Sequence, residues 1–160
     1  MKLCTLIMVI MLFSPTAFAE TPSFEKLAGT WTCEMHRDGG FEVGRMTYTF
    51  DETGESTVAQ ASTTYFDDAT VTLYFDAELT LKLIDDRISP KQVNVTRIET
   101  TIDDNVVFPS VLGVSKDILR SQILQSLQIV DMTSDNQMTL TNLPSKQVEH
   151  CVRGAMDNVS

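Results

Sequence analysis

The chain has 160 residues and a formal net charge of −10 at pH 7, and 42% of its residues are hydrophobic. An acidic chain repels the phosphates of nucleic acids and of anionic lipids, so neither is expected as a partner. The length is that of one domain, and a chain of this size buries about two-thirds of its unfolded surface.

The first 19 residues, MKLCTLIMVIMLFSPTAFA, are organised as a secretory signal peptide. A lysine precedes an apolar run over residues 3–13, and the letters AFA before Glu20 form an A-x-A cleavage site. The run is shorter than the roughly 20 residues that a membrane-spanning helix needs. An uncleaved amphipathic anchor is the less favoured alternative. We therefore expect a signal peptide over 1–19 and a single exported domain over 20–160, periplasmic or extracellular, without stable membrane insertion.

The mature chain keeps two cysteines, Cys33 and Cys151. In an oxidising compartment an even number of cysteines predicts a disulfide, with two buried free thiols as the alternative. The two histidines, His36 and His150, flank these cysteines, and the bridge could bring them together. Two ligands are too few for a closed structural zinc site, so no metal ion and no cofactor are expected.

The first three strands follow from alternation between apolar and polar residues. A strand over 30–36 places every second side chain on one face, as does the next strand, which ends before the turn at 51–54. The shared faces carry Trp31, Cys33 and Met35 in the first strand and Met46, Tyr48 and Phe50 in the second. Asp38-Gly39-Gly40 forms the turn between them, and residues 56–66 form a weaker third strand.

The longest pattern runs from Val71 to Leu83, where every odd-numbered residue is apolar. It predicts one long strand with a dry and a wet face, or two strands divided near Asp76. In the following strand the apolar positions change phase, from odd at Val93 and Val95 to even at Ile98 and Ile102. The phase change predicts a β-bulge near Thr96-Arg97.

One helix is predicted near residues 115–127. Ser115 is a suitable N-cap and Asp117 suits the positive first turn. An apolar stripe at helical spacing follows, made of Ile118, Leu119, Ile123, Leu124 and Leu127. We expect this helix to cover an open end or a face of the sheet. Three further strands follow over 127–132, 138–143 and 147–153.

Eight or nine strands and one helix predict an all-β fold, either a sandwich or an antiparallel up-and-down β-barrel of about eight strands. Closure of a barrel joins the first strand to the last. Cys33 lies in the first and Cys151 in the last, and a disulfide needs Cα atoms within about 7 Å. The sequence therefore predicts a closed barrel.

The G-x-W motif Gly29-Thr30-Trp31, within the stretch FEKLAGTW, resembles the lipocalins and their bacterial lipocalin-like (calycin-type) relatives. The resemblance implies that Gly29 and Trp31 close the base of the barrel and that an arginine near the last strand, here Arg153, packs across the indole. Such a contact contributes about 1–2 kcal/mol when partly desolvated. A solvated Arg153 beside a core Trp31 is the alternative. The chain departs from the family in lacking a T-D-Y-type motif and in placing its helix before the last strands.

The sequence contains no set of residues typical of catalysis, so we expect no enzyme and no catalytic residues. It lacks G-x-S-x-G, and its cysteines are assigned to the bridge. Three acidic pairs recur at a spacing of 18 residues: Asp67-Asp68, Asp85-Asp86 and Asp103-Asp104. They could ligate Ca²⁺ or act as a glycosidase pair, but Asp favours turns and the pairs are interpreted as strand ends. If so, only the first and third pairs can share one rim.

The remaining functional hypothesis is a small apolar ligand in the lumen, since small barrels can enclose one molecule. The candidate lining residues are Met35, Met46, Tyr48, Phe50, Leu73, Phe75, Leu79, Leu81 and Met138. The same residues equally describe a filled core. In that case the chain would be a secreted interaction or inhibitor domain, as in periplasmic protease inhibitors, acting through loops such as Arg37–Gly44.

Overall fold

The computed structural model describes residues 21–36 and 42–154. The predicted signal peptide and its cleavage site lie outside the described residues. So do the turn at residues 38–40 and most of the loop at 37–44.

The described chain forms an eight-stranded antiparallel ring, as the sequence predicted. Strands β1 to β5 pair in sequence order, β5 pairs with β7, β7 with β8 and β8 with β9, and β9 pairs with β1. A short ninth strand, β6, is added to β5. The strands are β1 (Gly29–His36), β2 (Glu42–Phe50), β3 (Glu55–Tyr65), β4 (Thr70–Ile84), β5 (Arg87–Ile102), β6 (Asn105–Val107), β7 (Gln128–Ser134), β8 (Gln137–Asn142) and β9 (Val148–Arg153). The helices are α1 (Phe24–Leu27), a 3₁₀ turn (Pro109–Leu112) and α2 (Lys116–Leu124).

Strands β4 and β5 are the longest in the barrel, and β4 is undivided, with 15 residues. Their register shifts at two places. One shift leaves out Thr96, which is the predicted bulge, and the other leaves out Lys91, next to Pro90. Because Pro90 and this second bulge break the alternation, the sequence pattern began at Val93, although β5 starts at Arg87. Each bulge bends the pair and increases its twist, which helps long strands to curve around a small barrel.

Helix α2 completes the barrel wall where two strands barely meet. Strands β5 and β7 pair only through Arg87 with Ile129 and Ile88 with Gln128. Beside the rest of β5 lies α2, whose Lys116 Nζ donates a hydrogen bond to the carbonyl of Thr96. The helix therefore fills a gap in the wall.

The ends and faces of α2 follow only part of the predicted pattern. As predicted, the Ser115 hydroxyl caps it by accepting from the N–H of Ile118. The helix ends at Leu124, so Leu127 lies beyond it. Of the apolar stripe, Leu119 is buried, whereas Ile118 and Leu124 are exposed.

The three acidic pairs lie between strands, which supports their interpretation as turns. They fall between β3 and β4, between β4 and β5, and between β5 and β6. Asp85, Asp103 and Asp104 adopt positive φ angles, a conformation that Asp tolerates better than most residues. The N–H of Thr70 donates to Asp103 Oδ1 at 2.8 Å, so the first and third turns share one end of the barrel.

The seam between β1 and β9 carries the predicted disulfide. Cys33 lies directly opposite Cys151 in the antiparallel register, and their Cα atoms are 3.9 Å apart. Both side chains are buried inside the barrel. Because 118 positions separate them, the link removes about 5 kcal/mol of chain entropy from the unfolded state in the loop-closure model.

One step further along the same seam, Arg153 lies opposite Trp31. The guanidinium carbon is 4.3 Å from the centroid of the indole, which is fully buried, and the indole Nε1 donates to the carbonyl of Leu27. The guanidinium nitrogens donate to the carbonyls of Ala28, Lys26 and Asp135. Arg153 thus ties the chain before β1, the last strand and the β7–β8 turn together at the base of the barrel.

Gly29 is required at this base for two reasons. Its φ of +118° lies in a region that side chains with a Cβ rarely adopt, and a Cβ there would come within 3.0 Å of Arg153 Nη1. The glycine of the G-x-W motif therefore makes room for the arginine that covers the tryptophan.

We predict that Arg153→Ala lowers the free energy of unfolding by about 3 kcal/mol, because three charge-assisted hydrogen bonds and the contact with Trp31 are lost. Emission from Trp31, the single tryptophan, should shift to longer wavelength as water reaches the indole. Urea unfolding followed by this fluorescence measures both effects.

Arg120→Ala, at an exposed position of α2, is the matched control and should change neither quantity. Arg153→Lys should recover only part of the stability, since an ammonium cannot reproduce the planar fork. Equal stability of Arg153→Ala and Arg120→Ala would contradict the role of Arg153 at the base.

Candidate functional site

The barrel contains a cavity of about 350 Å³, partly open to solvent, above its base. This volume lies within the range of about 300–1,000 Å³ that is typical of small-molecule sites. Eight of the nine predicted lumen residues line it: Met35, Met46, Tyr48, Phe50, Leu73, Phe75, Leu79 and Leu81. Met138 does not. It is buried opposite Cys151 in the β8–β9 pair, beside the disulfide.

One side of the cavity is apolar. The rings of Tyr48 and Phe50 stack there, with centroids 5.6 Å apart and planes 12° from parallel. The apolar wall continues through β3, β4 and β5 by way of Val58, Phe75, Leu79, Leu81 and Ile88. Alternation along the strands points these side chains inward, so this wall could be read from the sequence.

Helix α2 and the residues after it also line the cavity. Leu119, Gln122, Ile123 and Ser126 face it at spacings of three and four residues, which is the periodicity of one helical face. The sequence analysis assigned α2 to a covering role and missed its place in the lining. Helical spacing shows which side chains share a face but not what that face meets.

The other side of the cavity is polar and is formed by β2, β7, β8 and β9. The Tyr48 hydroxyl donates to Glu149 Oε2 at 3.4 Å and also lies 3.3 Å from the sulfur of Met46. Gln128 on β7 also lines this side of the cavity. Asn142 and Gln147 line the cavity nearby in the sheet. The lumen therefore combines an apolar wall with a compact polar cluster.

Glu149 is the buried acid of this cluster, with 4% of its surface exposed. Its neighbours across the two ladders are apolar, Met35 on β1 and Leu140 on β8. Burial raises the pKa of the carboxyl from 4.5 to about 7, and the hydrogen bond from Tyr48 opposes this shift only in part. Burial and the nearby Glu149 charge raise the pKa of the Tyr48 hydroxyl as well.

Sequence reasoning missed Glu149, although a signal for it was present. The residue is in phase on β9 with Cys151, which was predicted to pair with Cys33, and with Arg153, which was expected to pack across Trp31. A carboxylate at an inward position is unusual, since a charged group is seldom buried without a partner.

Gln147 carries an unsatisfied polar group. Its side-chain Nε2 is buried and has no hydrogen-bond partner among the described residues. Such orphaned groups are rare in folded proteins and point to a missing partner.

The histidines and acidic pairs form no metal centre within the described ranges. There, no three His, Cys, Asp or Glu side chains come close enough together to hold an ion. His150 is exposed on β9, and the side chain of His36 lies outside the described residues.

No protein-family model matches this chain, and no curated protein sequence is significantly similar to it. Within residues 21–36 and 42–154, no helix has the length and apolar character to cross a bilayer. The function is therefore inferred from the cavity and its chemistry.

We predict that Glu149→Gln flattens the pH dependence of stability. Because the pKa of Glu149 is higher in the folded than in the unfolded chain, the folded state keeps its proton longer. The free energy of unfolding therefore falls by on the order of 3 kcal/mol as pH rises from about 4.5 to about 7. Above pH 7 Glu149 causes no further fall.

Glutamine stays neutral, so the variant should match the wild type near pH 4.5 and exceed it at pH 8. Urea unfolding at several pH values measures the difference. Glu52→Gln, in the exposed β2–β3 turn, should run parallel to the wild type. A parallel curve for Glu149→Gln as well would show that Glu149 does not titrate in this window.

Proposed function

We propose that this chain is an exported, lipocalin-like binding protein that holds one small, largely apolar molecule in its barrel and is not an enzyme. The observation that carries this proposal is the cavity of about 350 Å³ inside a closed barrel. Its lining combines an apolar wall with a group of polar side chains, and ligand pockets commonly pair apolar surface with polar groups that orient the ligand.

The size of the cavity favours a binding role over a filled core. Protein interiors pack about as densely as organic crystals and leave few voids larger than a water molecule. An eight-stranded barrel is just wide enough to be filled by its own side chains. Here small and polar lining residues such as Ser62 and Gln60 leave space at mid-height. Met35 and Met46 add flexible side chains that adapt to a guest.

Export is supported by the disulfide and by the signal-like first residues. A long-range disulfide is stable in the periplasm or outside the cell and rare in the cytosol. The arginine over the G-x-W tryptophan is the arrangement that the resemblance to lipocalins implied. We therefore propose a periplasmic or extracellular site of action.

A secreted interaction domain is the second candidate function. It is favoured by an exposed apolar segment around β6 and the 3₁₀ turn, where Val106, Phe108 and Val111 are 73%, 80% and 66% exposed. Apolar side chains grouped in this way often mark a protein-binding surface.

Titration with the neutral fluorescent probe N-phenyl-1-naphthylamine tests the binding proposal. We expect saturable binding with one site per chain and a micromolar dissociation constant. Ser62→Phe, which adds a ring to the lumen wall, should weaken binding at least about tenfold, because it occupies the space of the guest.

Ala59→Phe is the matched control, since Ala59 lies on the same strand with its side chain on the outer face. It should bind the probe like the wild type. If Ser62→Phe bound equally well, the probe would not be in the lumen. Absence of binding to the wild type would favour the interaction domain.

A further inference from the structure

We infer that the natural occupant of the lumen is an apolar molecule that carries a protonated amine, with the Glu149 carboxylate as its counter-ion. This inference rests on the proposed binding function and names the chemical class of its ligand.

The charge of the lumen favours a cationic ligand. The charged side chains among the described lining residues are Glu149 and Glu42, both acidic. No described cationic side chain pairs with Glu149, whose recorded hydrogen-bond donor is the Tyr48 hydroxyl. A buried carboxylate without a cation is costly, and a ligand that supplies the cation offsets that cost.

Arg153, the cation at the base of the barrel, cannot act as the counter-ion of Glu149. Arg153 lies four residues after Glu149 on the same face of β9, but its guanidinium is bound at the base. Its guanidinium is held by Trp31 and by three backbone carbonyls. Its charge is thus used in closing the base, and Glu149 has no cationic partner among the described residues.

The hydrogen-bonding groups of the lining also favour an ammonium. An ammonium has three N–H donors and needs three acceptors. Glu149 supplies one, and the Tyr48 oxygen lies beside it. The Gln147 side chain makes no hydrogen bond among the described residues, so rotation of its amide presents Oε1 where Nε2 now lies unpartnered. Glu149, Tyr48 and Gln147 all line this cavity, so a carboxylate and two neutral oxygens are available to an ammonium inside it.

The same groups discriminate against other head groups. An alcohol can hydrogen-bond here but leaves the carboxylate without a counter-ion. A carboxylate ligand would be repelled by Glu149. Across the two ladders Glu149 has the apolar neighbours Met35 and Leu140, and its recorded hydrogen-bond donor is Tyr48 on β2. Tyr48 is the titratable group among these three, and burial raises its pKa. Glu42 on β2 is the other acidic residue of the lining.

The test is competition against bound N-phenyl-1-naphthylamine with three probes that share one chain: decylamine, 1-decanol and decanoate. At pH 8 we expect decylamine to bind at least about tenfold more tightly than decanol, and decanoate to bind most weakly. At pH 5.5 the preference for the amine should shrink, because Glu149 becomes protonated while the amine stays charged.

Glu149→Gln should reduce the amine preference at pH 8 to within about threefold of the alcohol. Glu52→Gln, which removes one exposed charge, should keep the wild-type preference. The comparison of the two pH values uses the wild-type chain, so it remains decisive if the Glu149 variant does not fold.

The outcomes separate the two proposals. Equal binding of the three probes, or preference for decanoate, would overturn the amine inference and leave the lumen as an apolar site. An amine preference that persists in Glu149→Gln would overturn Glu149 as the counter-ion. Failure of the dye and of all three probes to bind would overturn the binding function itself.

Discussion

The pairing of β1 with β9 is the constraint on which the rest of this structure depends. These strands lie at opposite ends of the domain sequence, and only their ladder turns a sheet into a ring. Non-local pairing is entropically expensive, and the disulfide between Cys33 and Cys151 offsets much of that cost. Trp31 and Arg153 hold the same seam one step further down. The disulfide and the contact of Arg153 with Trp31 thus stabilise the β1–β9 pairing that closes the barrel.

The interior is divided by charge as well as by polarity. At the base, the guanidinium of Arg153 lies over the Trp31 indole and donates hydrogen bonds to three backbone carbonyls. Above it, Glu149 lies at the wall of a cavity with a neutral hydroxyl as its nearest hydrogen-bonding partner. Both residues belong to the same six-residue strand, β9. One short strand therefore supplies both the closure of the barrel and the distinctive chemistry of its lumen.

Much of this architecture could be predicted from local pattern. Strict alternation located β4 and its inward side chains, and the change of phase located the bulge at Thr96. What the sequence missed depends on distant contacts: the place of α2 in the wall, and the location of Met138 beside the disulfide rather than in the cavity. Strand β6 was missed because three residues are too few for a periodicity. Glu149 was missed because the prediction followed apolar positions and passed over an acid in phase with the inward residues of β9.

The gap between β5 and β7 has a consequence for how the barrel protects itself. Over most of its length β5 would present an unpaired edge, and such edges recruit strands from other molecules. Helix α2 shields this edge, yet Leu119 is its only fully buried side chain within Lys116–Leu124. An element held by so little buried surface belongs to the least stable part of a fold. Any guest that contacts Leu119 and Ile123 from inside would therefore also fasten the helix over the edge, so that occupancy of the lumen guards the chain against aggregation.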